Sequence, residues 1–185
     1  EDVGDKPITR YRLGRVVAKR LRTLGVFKNK HIPAVYLRAS YEQRMAIIAG
    51  LMDTDGTVNK LGACEFSVCN KRLAEGFAEL IWSVGIKAVV LDHPAKLKGR
   101  EVARRYRIQF WPGDKQVFRL PRKAARLGVK HSRRRLSGDR RIVSCEPVPS
   151  VPVQCIAVDS PSHLFLAGRQ MVPTHNSPLL AGIGM

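Results

Sequence analysis

Near residue 142 the chain changes character, and that break limits the folds open to it more than any other feature. Residues 1–141 carry 32 of the 33 basic and 13 of the 15 acidic residues, a net charge of +19. In residues 142–185 the only ionised side chains apart from histidine are Arg169, Glu146 and Asp159, and Val and Pro are abundant. A segment so poor in charge and so rich in β-branched residues favours strands. The first part alternates apolar and charged stretches, as a mixture of amphipathic helices and strands around its own core requires. Two structural units are therefore expected, joined through an exposed Arg-, Ser- and Gly-rich linker at 130–141.

Local patterns give a coarse map of the first unit. Leu13, Val17, Leu21 and Leu24 recur at helical spacing over 9–24, and Gly25 ends the run. Ser40 with Gln43 three residues on is a capping-box signature, opening a helix through Met52 with Gly56 as its stop. Residues 62–69 alternate like a strand. Asn70 can cap a helix over 71–84 whose apolar face is Leu73, Phe77, Leu80, Ile81 and Val84. A short apolar strand is expected at 87–91. A cleanly alternating strand follows at 105–110, with Tyr106, Ile108 and Phe110 on one side and Arg105, Arg107 and Gln109 on the other. Residues 115–128 suggest a further basic helix, and 142–174 look strand-like throughout.

A positive field of this size attracts polyanions, and nucleic acid is the leading partner class. A generic basic surface is the plainer alternative. No apolar run approaches the ~18 residues of a membrane span, and no signal-peptide pattern is present. Cys64, Cys69, Cys145 and Cys155 lack metal-site spacing and suit a reducing compartment. A cytoplasmic location in a bacterial cell is expected, with a phage or prophage as the source of the gene. Glu1-Asp2-Val3 has the look of a start in mid-protein.

Ile48-Ala49-Gly50-Leu51-Met52-Asp53-Thr54-Asp55-Gly56 resembles the LAGLIDADG motif of homing endonucleases, and Lys30-His31-Ile32-Pro33 lies where that family has a similar element. An isolated D-x-D-G is more often a solvated turn; the whole block carries the likeness. The resemblance implies an αββαββα half-enzyme over residues 1–135, the second of two such halves. Small residues Ala49 and Gly50 would let two such helices pack closely. Asp55 would hold Mg²⁺ together with a second carboxylate and the phosphate, activating water on double-stranded DNA. Asp53 would pack or cap. Arg105, Arg107 and Gln109 would face the major groove, unless they are plain solvent-facing residues. The family also implies a lysine near the metal, for which Lys98 or Lys96 is the candidate. The first block would lie upstream; a homodimer could supply two copies, but the mid-protein start argues against it.

The run Val172-Pro173-Thr174-His175-Asn176-Ser177, together with 153–159 and 162–165, resembles the C-terminal splicing blocks of inteins. On that resemblance Asn176 cyclises and breaks its own peptide bond. His175 and His163 serve as acid–base groups. The Ser177 hydroxyl accepts the upstream segment before an O-to-N shift. Most inteins have Asp where Cys155 stands. Cys155 with Thr174 resembles class 3 inteins, in which this thiolate attacks the upstream junction itself; the alternative is a small buried residue in an ordinary intein.

The resulting expectation is an α+β chain with three parts: the LAGLIDADG half at 1–135, the C-terminal all-β part of a Hint (intein) domain at 136–176, and the start of a host protein at 177–185. Mg²⁺ serves the endonuclease and no cofactor serves splicing. Partners would be double-stranded DNA, the upstream intein segment and the flanking exteins, with no membrane. Residues 177–185 resemble the helix after a phosphate-binding loop, so the host is expected to be a phage terminase large subunit, with a replicative helicase as runner-up. The rival readings are a stand-alone LAGLIDADG endonuclease or DNA-binding protein with an incidental tail, and a non-enzymatic basic module.

Overall fold

The computed structural model describes residues 14–97, 99–127, 143–152 and 154–175. Its elements run α1 (Arg15–Thr23), α2 (Ala34–Leu37), α3 (Tyr41–Thr54), β1 (Gly56–Val58), β2 (Cys64–Val68), α4 (Lys71–Ser83), β3 (Ala88–Leu97), β4 (Arg100–Phe110), α5 (Pro121–Ala124), β5 (Phe165–Ala167) and β6 (Val172–Thr174). From α3 to α5 the order is αββαββα, and the fold is α+β. Strands β1 to β4 form an antiparallel sheet in the order β1-β2-β4-β3.

Local chemistry sets the helix ends. Ser40 Oγ accepts from the Gln43 N–H (3.3 Å) and Gln43 Oε1 accepts from the Ser40 N–H (3.2 Å), closing the capping box of α3. Asn70 Oδ1 accepts from the Leu73 N–H at the start of α4, while its amide donates to the Lys30 carbonyl. That second bond ties the Lys30–Pro33 loop to α4. Ile32 then packs over Gly76, where even a methyl group would meet the Ile32 side chain at 3.4 Å. Helix α1 ends in a Schellman turn: Gly25, at φ 67°, donates to Arg22 and Val26 donates to Leu21. Its apolar stripe finds no core among the described residues, and Val17 is 45% exposed.

The core lies between one face of the sheet and helices α3 and α4. Ile48 and Met52 of α3 meet Phe77, Leu80 and Ile81 of α4 and Phe66, Ile108 and Phe110 of the strands, all fully buried or nearly so. The expected apolar stripe of α4 is thus the buried one. Gly56 closes α3 for a steric reason: a Cβ there would sit 2.6 Å from the Met52 Cα.

Three expectations fail locally. The strand placed at 87–91 continues to Leu97, because β3 is an edge strand and tolerates Pro94. The helix placed at 115–128 shrinks to Pro121–Ala124; Val117 and Phe118 instead drop into the core as extended chain. Of the strands placed across 142–174, the described residues contain only β5 and β6, paired in register Phe165↔Thr174. Pro147, Pro149 and Pro152 each lack the N–H a ladder needs, and Val143, Val148 and Val151 remain exposed.

Candidate functional site

The D-T-D turn at the end of α3 separates two carboxylates into different tasks. Asp53 reaches across to the segment after β4 and accepts the backbone N–H groups of Arg119 (3.1 Å) and Leu120 (3.1 Å). From the same segment the Lys123 ammonium donates to the carbonyls of Met52 (2.8 Å), Asp53 (2.8 Å) and Gly56 (2.6 Å). Lys123 therefore occupies the negative end of the α3 dipole with all three of its N–H bonds used. Asp55 lies between these anchors, caps α3 through its backbone, and is exposed. Its carboxylate has no hydrogen bond or ion pair among the described residues.

That leaves one oxygen-ligand side chain available for a cation. Mg²⁺ prefers six oxygens and keeps several waters, so Asp55 fits as one contribution to a shared site. Asp53 is committed to the backbone of Arg119 and Leu120. Among the described residues no cluster of three or more His, Cys, Asp or Glu side chains suits a metal.

Of the two lysines offered by family likeness, Lys96 does not fall beside Asp55. Gly56 pairs with Phe66, Phe66 with Ile108, and Ile108 with Val90, so that row marks the level of the α3 end. Lys96 sits six residues farther along β3, roughly 20 Å away. Lys98 lies outside the described residues. Lys123, which sequence patterns did not single out, is the lysine at the helix end.

The sheet face turned away from the helices carries Arg105, Arg107 and Gln109, as alternation required. Arg105 is exposed. Arg107 is bound through Nε (2.9 Å) and Nη2 to the carboxylate of Glu65, which also accepts from Gln109 Nε2 (2.8 Å). The Arg107 hydrogen bond holds the Glu65 carboxyl below its ordinary value against the opposing effect of burial. At the sheet margin Arg104 pairs with Asp92, whose carboxyl is likewise lowered. An open cavity of about 670 Å³ lies on this face, bordered by Glu65, Val89, Leu91, Arg107, Gln109 and Trp111.

Residues 31–117 match the family model described as homing endonuclease. The chain contains a homing endonuclease domain. Over 166 residues, 86% of this chain, it is 47% identical to a replicative DNA helicase DnaB of Mycobacterium intracellulare, of which it spans 28%. A second replicative DNA helicase DnaB, from Mycobacterium leprae (strain TN), is 63% identical over 38 residues, 20% of this chain and 6% of that protein. Both relatives are helicases, so the expected terminase host gives way to the runner-up.

The residues expected for splicing are only partly in view. Cys155 is exposed and in no disulfide. His163 has a left-handed backbone (φ 52°), closing a turn in which its N–H donates to Ser160 at 2.8 Å. Thr174 ends β6 and its hydroxyl donates to the Val172 carbonyl. No hydrogen bond joins Cys155, His163 and Thr174. Asn176 and Ser177 lie outside the described residues, next to His175. The β5–β6 turn touches the endonuclease domain through Arg169 and Glu75, 3.9 Å apart. Among the described residues no helix is long and apolar enough to cross a membrane.

Proposed function

We propose that this chain is part of an intein interrupting a replicative helicase, and that its homing endonuclease domain binds and cuts double-stranded DNA. The observation that carries the nuclease reading is Asp55: a carboxylate without a hydrogen-bond or ion-pair partner among the described residues, held by two long-range anchors at the end of α3, in a domain that matches homing endonucleases. Gly50, on the same helix, is exposed with open space where a side chain would be, while Ala49 is buried in the domain's own core. A second, similar helix could approach along the Gly50 face and bring its carboxylate to Asp55. Mg²⁺ held there would supply charge stabilisation and a more acidic bound water. Asp55 holds and orients; Arg105 and the sheet face hold the duplex.

The splicing reading is supported by a different fact. Similarity to helicase chains extends over more residues than the endonuclease domain alone, so an endonuclease is matched within a helicase sequence. An intein accounts for that juxtaposition. The exposed apolar residues Val143, Val148, Val151 and Leu166 suit strands completed by an upstream intein segment. In this reading Cys155 attacks the upstream junction, His163 and His175 manage protons, Thr174 flanks them, and Asn176 cyclises to release Ser177.

Two experiments test the parts separately. Co-expression with the upstream segment should give ligated host protein by mass spectrometry; Asn176→Ala should block release of the segment beginning at Ser177, and Cys155→Ala should block ligation. With Mg²⁺ and the same partner, purified protein should cut a duplex it binds, and Asp55→Asn should abolish cutting while binding persists. Undiminished cutting by Asp55→Asn removes the nuclease assignment.

A further inference from the structure

A carboxylate in the middle of a DNA-facing surface needs a physical account, because the phosphate backbone repels it. Glu65 on β2 stands directly opposite Gln109 on β4, with Arg107 two residues along the same strand. Its two oxygens take the Nε–H and one Nη2–H of Arg107 and one amide hydrogen of Gln109. A guanidinium has five N–H groups. Of the three left free, one on Nη1 and one on Nη2 lie along its end edge, which can donate two parallel bonds to O6 and N7 of a guanine. Gln109 keeps one N–H and its Oε1. That donor–acceptor pair complements N7 and N6–H of an adenine. The acceptor-only carboxylate also fixes which end of the Gln109 amide faces outward, since ionised Glu65 cannot bond to Oε1.

We infer that Glu65 is a specificity-determining positioning residue, holding Arg107 to read a guanine and Gln109 to read an adenine about two base pairs away. The spacing follows from strand geometry: same-face neighbours are about 7 Å apart, and base pairs rise about 3.4 Å. The inference rests on the DNA-binding reading above. Without Glu65, two flexible side chains would have to be ordered on binding, and Arg107 could swing to a phosphate as readily as to a base. The negative charge also penalises complexes in which the base-reading bonds are not made, so discrimination rises while overall affinity falls. A plain surface ion pair would have no such selective effect.

The lowered Glu65 carboxyl keeps the arrangement ionised at neutral pH.

The test is selection from a pool of random-sequence duplexes at fixed salt, using the full chain, Glu65→Gln and Arg107→Lys, each first checked for an unchanged cooperative urea transition. The unsubstituted chain should enrich guanine and adenine about two pairs apart. Glu65→Gln should bind random duplex several-fold more tightly yet lose about tenfold of the preference at both positions. Arg107→Lys, which lacks the fork, should lose the guanine preference and keep the adenine. If Glu65→Gln or Arg107→Lys enriches the same bases as the unsubstituted chain, the inference is overturned and DNA binding stands. If the unsubstituted chain captures no duplex, the DNA-binding reading falls first and takes the inference with it.

Discussion

Replacing Lys123 with Met tests the anchoring of α3 most directly. Met is close in length and keeps the apolar stem, so the change removes one ammonium and its three bonds to the Met52, Asp53 and Gly56 carbonyls. A hydrogen bond to a charged group contributes about 1.5–3 kcal/mol, and a cation at a partly buried helix C-terminus up to about 2 kcal/mol. These effects overlap, because it is the same ammonium in each. Carbonyls at a helix end also regain some water once it is gone. The expected net loss is therefore about 2–4 kcal/mol, near one strong charged bond plus the dipole effect. Trp82 and Trp111 are the chain's two tryptophans, and Trp82 packs against the core, so fluorescence in urea reports on this domain. With a urea slope of about 1–3 kcal/mol/M, the midpoint should fall by roughly 1–2 M at unchanged slope. Lys123→Arg should restore only part, since a planar fork cannot aim three N–H groups at three carbonyls around one point. A midpoint shift below about 0.3 M for Lys123→Met would refute the claim that this ammonium secures the helix end.

Three further outcomes are expected. Gly56→Ala forces a methyl group to within 2.6 Å of the Met52 Cα, so stability should drop by about 1–3 kcal/mol in the same urea assay. The folded Glu65 carboxyl titrates below its unfolded value of 4.5, so its contribution is present above that pH and is lost as pH falls through the lowered folded value; urea midpoints at pH 6 and pH 3.5 should differ less in Glu65→Gln than in the unsubstituted chain. Burial pushes the Cys64 thiol up to about 12, whereas Cys69, Cys145 and Cys155 are exposed. Native-state alkylation followed by mass spectrometry should therefore modify the three exposed thiols and spare Cys64 until urea is added.

What could be read in advance was whatever a few neighbouring residues decide. The Ser40–Gln43 box, the Asn70 cap, the apolar stripe of α4 and the alternation of β4 each follow from spacing alone. Residues 115–120 could not be read that way. Their Lys and Arg content suggests a basic helix, but Asp53 takes two of their backbone N–H groups from more than sixty residues away and Val117 and Phe118 fill the core. Register hid the rest. Only the β2–β4 pairing shows that Glu65 faces Gln109, and only the β3–β4 pairing moves Lys96 away from the end of α3. In 143–164 the Val-rich composition suggests strands, yet the prolines and the absence of a partner strand among the described residues leave no ladder to join.

The two acids of the D-T-D turn also differ in how freely they can be lost over generations. Asp55 makes no side-chain hydrogen bond or ion pair among the described residues, so on the proposed reading an asparagine or serine there would silence cutting with little cost to the folded chain. Asp53 closes the last segment of the domain onto α3, so its loss would destabilise the fold itself. Drift in lineages where cutting no longer matters should thus erase position 55 first and hold position 53. A dead copy of this element would be recognised by the survival of its first aspartate alone.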